Sequence, residues 1–283
     1  MKKIAWVTDS TAFLDAEMEA YTNLYRVPMT IMIDDKEYVE DVDITAEELY
    51  RKLPTLKVPA KTSQPSIGAF KDLYEKLEQE YDYIFSILVS AKLSGTCSSS
   101  QQAAQMVNIP VYTIDSKILS YPLSRLIKKG MELNEQGLEV EEIEQKLNEI
   151  AATNETLVLI GSLEQLHRSG RMSGLQFFLG SMLNVKPIIS FNDGALESKE
   201  KARSERKAKD KIEKYLKESY EKQPFSEVYF LYGLHDNDAK KWQEELQPIY
   251  PNVKFGVYPI GATVGVHAGE ATLGVSWFTG IDR

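Results

Sequence analysis

Short apolar runs alternate with longer helical patterns in the first half of the chain, and this alternation limits the choice of fold more than any other feature. Buried strands are predicted at residues 4–7, 83–90 and 111–114, which are short and apolar. Helical patterns lie between and after them, at residues 66–80, 98–107, 122–136 and 140–152. Strands that are separated by helices pair in parallel, with the helices on the faces of the sheet. We therefore predict an α/β domain with a mainly parallel sheet that is flanked by helices.

Two parts of the chain depart from this alternation. Two extended runs around Asp34-Asp35-Lys36 predict a hairpin excursion at about residues 27–41. In the second half, only two long helical patterns (202–221 and 236–249) separate the predicted strands, which are residues 156–161, 187–191, 227–233, 254–261 and 272–278. That balance favours an α+β domain with a mixed or antiparallel sheet. We predict two domains, residues 1–155 and 156–283.

Composition excludes several classes of function. The net charge of -9 makes nucleic acid an unfavourable partner, because binding to phosphates needs a basic surface. The single cysteine, Cys97, rules out an internal disulfide, and the sequence has no Cys/His cluster that would indicate a metal site. No apolar run approaches the ~20 residues that span a bilayer, and the first ten residues do not resemble a signal peptide. We expect a cytoplasmic protein.

Hydroxyl-bearing residues follow the predicted strands of the first domain. They occur at residues 8–11, 90–96 and 115–116, and a fourth polar loop covers residues 61–66. Ligands bind at the carboxyl ends of parallel strands, so these loops are expected to form a site. Asp9 and Asp115 are more typical of structural turns or caps. For Ser94, two roles stay open, because it either caps the next helix or helps to bind an anion at the helix start.

The stretch GATVGVHAG, residues 261–269, places a histidine among glycines. His267 is either a structural histidine, or the glycines clear space so that a ligand can reach its ring. The chain has no phosphate-binding glycine loop of the Walker or G-x-G-x-x-G type and no G-x-S-x-G nucleophile motif. The sequence supplies no group that would orient His267 as a base for Ser94. Hydroxyls with one imidazole suit holding a carboxylate better than breaking a bond.

Several linked motifs resemble one family along nearly the whole chain, from residue 4 to about 276. They are VTDSTAFL, KTSQPS, SAKLSGT, LEQLHRSGRMS, LNVKPIIS and IGATVGVHAGEATLGV. In this order they resemble the DegV family, the fatty-acid-binding (FakB-type) subunits of bacterial fatty acid kinase. The resemblance implies two α/β domains with one long-chain fatty acid between them. It also implies that the protein is a lipid carrier rather than an enzyme, without a cofactor, and takes part in phospholipid metabolism.

The resemblance assigns roles to individual residues. It implies that Thr62, Ser94 and His267 hold the fatty-acid carboxylate. Their neighbours Ser63, Gly95, Thr96 and Gly265 are further candidates for ligand binding. In the family, the bound carboxylate is presented to a separate ATP-dependent (DAK-like) kinase subunit, and Arg171 occupies the position linked to engagement of that kinase. On its own, Arg171 suits an acidic partner surface, a phosphate or a local ion pair.

The sequence departs from the family pattern at three places. Glu270 follows the motif of His267 and is expected to put a carboxylate near the head group. Cys97 replaces an aromatic residue after the L-S-G-T motif, and Ser169 replaces a glycine before Arg171. Preferred acyl chain, cognate kinase and oligomeric state are not determined by these residues.

Two further segments and two other functions stay open. The basic run at residues 199–211 is interpreted as a solvated helix face, with transient contact to an anionic membrane surface or acidic partner as the alternative. The apolar stretch 175–185 is interpreted as core, or as the lining or lid of an acyl tunnel. The competing functions are a Ser94-dependent acyl hydrolase or transferase, and a regulatory protein that senses lipid.

Overall fold

The structure, a computed structural model, describes residues 2–172 and 185–282. Most of the apolar stretch 175–185 therefore lies outside the described residues. The strands are β1 (Ile4–Asp9), β2 (Leu24–Val27), β3 (Thr30–Ile33), β4 (Lys36–Val39), β5 (Lys61–Ser63), β6 (Tyr83–Leu88), β7 (Val111–Asp115), β8 (Asn154–Leu159), β9 (Lys186–Asn192), β10 (Ala195–Ala202), β11 (Glu227–Tyr232), β12 (Lys254–Pro259) and β13 (Leu273–Phe278).

The helices of the described residues are α1 (Ala16–Glu19), α2 (Ala46–Lys52), α3 (Ile67–Leu77), α4 (Thr96–Ala104), α5 (Ser120–Glu135), α6 (Val140–Ala151), α7 (Leu163–Arg168), α8 (Glu205–Lys222), α9 (Asn237–Leu246) and α10 (Ala262–Ala268). A short 3-10 turn follows α2 at Leu53–Thr55. No described helix is long and apolar enough to cross a membrane.

The first half of the chain forms a four-stranded parallel sheet in the order β2-β1-β6-β7. Alternate residues of β1 face opposite sides, as the period of two in a strand requires. Ala5 and Val7 pack in the core on the side of α3 and α4, whereas Ile4 and Trp6 pack with α5 and α6. The predicted parallel sheet is confirmed. The edge strand β2 was not predicted from the sequence.

The excursion after β2 is an antiparallel sheet in the order β4-β3-β5. Asp34 and Asp35 make the turn between β3 and β4 with φ of 47° and 62°, the left-handed conformation that two-residue hairpin turns need. The predicted hairpin is confirmed. Its third strand, β5, comes from the polar loop at residues 61–66 and puts Thr62 opposite Ile31 of β3.

The second half of the chain forms a six-stranded mixed sheet in the order β10-β9-β8-β13-β11-β12. Only β11 and β12 pair in parallel within it, so the predicted mixed or antiparallel sheet is confirmed. The two halves share a core, because Tyr229 and Leu231 of β11 pack in the same cluster as Leu123 and Leu126 of α5. The predicted boundary at residue 155 falls within β8 and stays a prediction.

The basic run at residues 199–211 is divided between two elements. Its first residues belong to the edge strand β10, which was not predicted because half of its side chains are charged. The remainder begins α8, where basic side chains pair with acidic ones of the same helix, as Lys209 does with Glu205 at 3.3 Å. Ion pairs within one helix are typical of a solvated helix face, which is the first of the two interpretations of the basic run.

From its glycines and small apolar residues, the stretch at residues 261–269 is expected to be a strand and loop that lets the imidazole of His267 approach a ligand, and this expectation is wrong. Residues 262–268 form the helix α10, which is bounded by Gly261 and Gly269. Both glycines have φ near 83°, a conformation that costs glycine little and other residues more. The two glycines therefore begin and end a helix, and His267 lies in its last turn.

Candidate functional site

A cavity of about 240 Å³ lies between the two halves of the chain. Apolar side chains form most of its wall, including Met29, Val89 and Leu119 from the first half and Ile160, Phe191 and Leu231 from the second. Polar side chains also line it, among them Thr62, Ser94 and His267. A cavity of this kind suits a ligand with an apolar body and one polar end.

Thr62 and His267 meet in the wall of the cavity. The hydroxyl oxygen of Thr62 lies 2.7 Å from Nε2 of His267. The excursion brings Thr62 to this place on β5, and α10 brings His267 from the other end of the chain. Two residues that are 205 positions apart thus form one polar pair.

The imidazole of His267 is neutral at pH 7. Burial, together with the positive charge of Arg171, lowers the pKa of His267 from 6.5 to about 4. Its second nitrogen, Nδ1, is buried and has no hydrogen-bond partner among the described residues. A buried polar atom without a partner is costly, so this nitrogen is a free position for a ligand.

Ser94 lines the same cavity, and its hydroxyl is 2.7 Å from the hydroxyl of Thr96. The helix that follows, α4, has Gly95 as its N-cap and no capping hydrogen bond from a side chain. Of the two roles that the sequence left open, helix capping is therefore not the role of Ser94. Its hydroxyl is available to a ligand.

The other candidates from the motifs lie at different distances from the cavity. Ser63 lines it, whereas Gly95, Thr96 and Gly265 are not among the described lining residues. Thr96 is buried behind Ser94. Gly95 makes room for a side chain, because a Cβ there would overlap the amide of Gln64.

Gly265 likewise makes room for a side chain, although not for a ligand. A Cβ at Gly265 would overlap the hydroxyl of Tyr50 from α2. This glycine therefore lets α10 pack closely on α2. The interpretation that the glycines clear space around His267 does not hold at this position.

A second cavity of about 340 Å³ adjoins the first and shares Thr62, Arg171 and His267 with it. Lys61 and Arg168 also line it, so its wall has three cationic side chains. Arg171 donates to the backbone carbonyl oxygens of Leu93 and Ser169, and no ion pair of Arg171 occurs in the described ranges. The Thr62–His267 pair thus borders both the inner cavity and an outer, positively charged one.

The third group of a Ser–His–acid arrangement is missing from the described part of the chain. Nε2 of His267 is paired with Thr62, and Nδ1 has no partner that would orient the ring. Glu270 does not supply this group, because it is exposed and lines neither cavity in the described structure. The expectation that Glu270 lies at the head group is therefore wrong.

The sequence of the chain matches one protein-family model over residues 3–280, that of the DegV family, described as "Uncharacterised protein, DegV family". This match covers nearly the whole chain.

The chain belongs to the DegV family.

DegV-family relatives resemble this chain in sequence and in fold over nearly their full length. Protein DegV of Bacillus subtilis is 35% identical over 276 residues, 97% of this chain and 98% of that protein. The crystal structure of DegV, a fatty acid binding protein from Bacillus subtilis, is 33% identical with a TM-score of 0.89 and covers 98% of this chain and 99% of its own. A structure that describes fatty acid binding of a DegV family protein from Thermus thermophilus has a TM-score of 0.92 at 29% identity, with the same coverage.

Reasoning from the sequence missed several residues of this DegV-family site. Thr11, Gln64 and Thr263 line the inner cavity. All three lie within the family motifs quoted above, so their polar side chains were a usable signal. Asp9 was interpreted as structural and has that role, since it accepts from the backbone N–H groups of Thr11 and Val89.

Proposed function

We propose that this protein binds one long-chain fatty acid, with the acyl chain in the inner cavity and the carboxylate at Thr62, Ser94 and His267. The observation that carries the proposal is the pair of Thr62 and the buried imidazole of His267 in the wall of a mainly apolar cavity, which Ser94 also lines. The fatty-acid binding that is described for the relatives from Bacillus subtilis and Thermus thermophilus supports it.

The physical chemistry divides the work between the chain and the head group. Burial of each methylene contributes ~0.8 kcal/mol, so the acyl chain supplies most of the gross affinity. Hydrogen bonds to a charged group contribute ~1.5–3 kcal/mol each and fix which end of the ligand faces the outer cavity. The hydroxyl of Ser94 donates to the carboxylate. Thr62 and the neutral imidazole share one hydrogen bond, so one of these two groups donates to the carboxylate: the Thr62 hydroxyl when Nε2 carries the proton, or Nδ1–H when Thr62 donates to Nε2. The positive charge of Arg171 favours the anion at the same place.

The proposed role of the complex is to present this carboxylate to a separate, DAK-like fatty acid kinase subunit. The resulting acyl phosphate would then be carried to phospholipid synthesis. The outer cavity supports this role, because it leads to Thr62 and His267 and has the cations Lys61, Arg168 and Arg171 in its wall. We infer that Arg171 faces the kinase, and that the protein works in the cytoplasm, where ATP is available.

The kinase role is tested by mixing the purified protein with candidate kinase subunits, ATP, Mg²⁺ and oleate. Acyl phosphate, trapped as the hydroxamate, is expected only when both proteins are present. Formation of acyl phosphate by this chain alone contradicts the proposal. A kinase that works equally well without this chain also contradicts it.

The hydrolase alternative predicts a different result. A Ser94-dependent hydrolase would turn over an activated acyl ester and lose that turnover in Ser94→Ala. We expect no turnover above that of Ser94→Ala, because the imidazole hydrogen-bonds Thr62 and lacks an orienting acid in the described structure. A regulatory lipid sensor would bind fatty acid but support no acyl phosphate formation with any kinase subunit of its own cell.

A further inference from the structure

Glu40, which directly follows β4, is a buried carboxylate beside the proposed site, with 2% of its surface exposed. Three groups donate to it. The hydroxyl of Ser10 lies 2.5 Å from Oε2, the hydroxyl of Thr263 lies 2.7 Å from Oε2, and the backbone N–H of Thr263 lies 2.7 Å from Oε1. These donors come from the loop after β1 and from the first turn of α10.

No cation pairs with Glu40 in the described ranges, so the hydrogen bonds alone offset its burial. A buried carboxylate without such partners destabilises the fold, so removal of any one of these donors is expected to lower stability. Burial raises the pKa of Glu40, whereas the bonds from Ser10 and Thr263 act in the opposite direction. All three groups donate, which matches an ionised carboxylate that accepts every bond.

The elements that Glu40 joins all contribute to the wall of the inner cavity. Ser10 also accepts from the backbone N–H of Met29, at 2.9 Å, and Met29 lines the cavity. Thr263 lines the cavity itself. A single carboxylate thus ties together three segments that surround the ligand space.

The spacing along α10 links Glu40 to the head group. Thr263 and His267 are four residues apart, so they lie one turn apart on the same face of the helix. Glu40 holds Thr263, and Thr62 holds His267. Glu40 directly follows the hairpin strand β4, and Thr62 belongs to β5 of the same three-stranded sheet. The sheet therefore holds this face of α10 at two points.

We propose that Glu40 is a positioning residue, which holds α10 so that the imidazole of His267 stands at the place where the carboxylate of the ligand binds. This inference rests on the proposed fatty-acid function but assigns a role to a residue that never touches the ligand.

The test compares Glu40→Gln with Glu37→Gln, a matched change on the exposed part of β4. Glutamine keeps the shape but turns one acceptor into a donor that faces the donors of Ser10 and Thr263. We expect Glu40→Gln to weaken oleate binding about tenfold, because a displaced His267 loses its hydrogen bond to the charged carboxylate of the ligand. Glu37→Gln should bind oleate as the wild type does.

A second readout separates positioning from simple loss of stability. The pKa of His267 depends on burial and on Arg171, and not directly on Glu40. A shift of its pKa toward 6.5 in Glu40→Gln, measured by NMR of the imidazole in folded protein at 25 °C, therefore reports that the ring has moved into a more hydrated place. The same pKa and the same oleate affinity in wild type and Glu40→Gln would overturn the inference.

If Glu40→Gln does not fold, Ser10→Ala and Thr263→Val each remove one hydroxyl donor, and both should shift the pKa of His267 upward while Glu37→Gln does not. If neither shifts it, the inference is overturned. If the wild type binds no fatty acid, the proposed function fails, and the imidazole titration still decides whether Glu40 positions His267.

Discussion

The hydroxyl oxygen of Thr62 lies 2.7 Å from Nε2 of His267 and joins the excursion of the first half of the chain to helix α10 of the second. The pair lines a mainly apolar cavity, as do Ser94 and Arg171. Each of these groups has a distinct physical role in the proposed binding of a carboxylate, so changes to them should have separable effects.

Removal of the Ser94 hydroxyl should weaken fatty-acid binding. Ser94→Ala deletes one donor to the carboxylate and leaves the apolar wall unchanged, so we expect the Kd for oleate to rise about tenfold. Ser98→Ala is the matched control, because Ser98 is exposed on α4. Fluorescence competition with a labelled fatty acid measures both. Equal affinities for Ser94→Ala and Ser98→Ala would show that Ser94 does not hold the head group.

The stability of the empty protein should depend on His267 in mildly acidic solution. The pKa of His267 is about 4 in the folded protein and 6.5 ordinarily, so the unfolded chain takes up a proton first as the pH falls. Above pH 6.5 the neutral His267 does not lower the free energy of unfolding. Between pH 6.5 and pH 4, protonation of His267 in the unfolded chain lowers the free energy of unfolding by about 2–3 kcal/mol.

Urea unfolding of wild type and His267→Gln at pH 7 and pH 4.5 isolates this contribution. Other groups titrate in the same way in both proteins. The free energy of unfolding of His267→Gln, relative to that of the wild type, should therefore be higher at pH 4.5 than at pH 7. A difference that stays constant from pH 7 to pH 4.5 would mean that His267 is not held neutral.

Arg171 should act on His267 through its charge. The guanidinium lowers the pKa of His267, so Arg171→Gln is expected to raise that pKa. Arg206→Gln is the control, since Arg206 is exposed on α8 and lines neither described cavity. NMR titration of the imidazole measures both variants. A rise of the same size in both would indicate a general effect of net charge rather than the proximity of Arg171.

Two glycine substitutions should have opposite effects on stability. Gly265→Ala places a Cβ against the hydroxyl of Tyr50, and we expect a loss of about 1–3 kcal/mol with weaker oleate binding, because α10 must move. At Gly68 in α3 the nearest atom to a new Cβ is the Ser66 hydroxyl, at 3.7 Å. Gly68→Ala should therefore stabilise the protein by about 0.5–1 kcal/mol. Thermal unfolding checks the signs, and stabilisation by Gly265→Ala would contradict the packing of α10 on Tyr50.

The architecture could be predicted from local patterns where burial alone decides the structure. The strands β1 and β6 are apolar runs buried in a parallel sheet, and β7 is a half-buried edge strand of that sheet; their composition and length identified all three. The edge strand β10 could not be found in this way, because one of its faces meets solvent and its charges resemble those of a helix surface. Edge strands are held by pairing with a neighbour, which a single segment does not reveal.

The candidate site was predictable in its parts but not in its connections. The motifs identified Thr62, Ser94 and His267, which all line one cavity. They did not reveal that residues 262–268 form a helix, since Glu40 and Tyr50, which hold that helix, are more than 200 residues away in the sequence. Glu40 itself follows an unremarkable hairpin strand, and its burial follows only from the tertiary fold.

The central claim is that this cavity holds a fatty acid, and the most direct measurement is denaturing mass spectrometry of an organic extract of the purified protein. We predict about one long-chain fatty acid per chain in the extract, or, for protein stripped of lipid, uptake of added oleate or palmitate to the same ratio. An extract without fatty acid, together with no binding of added oleate or palmitate, would contradict the account.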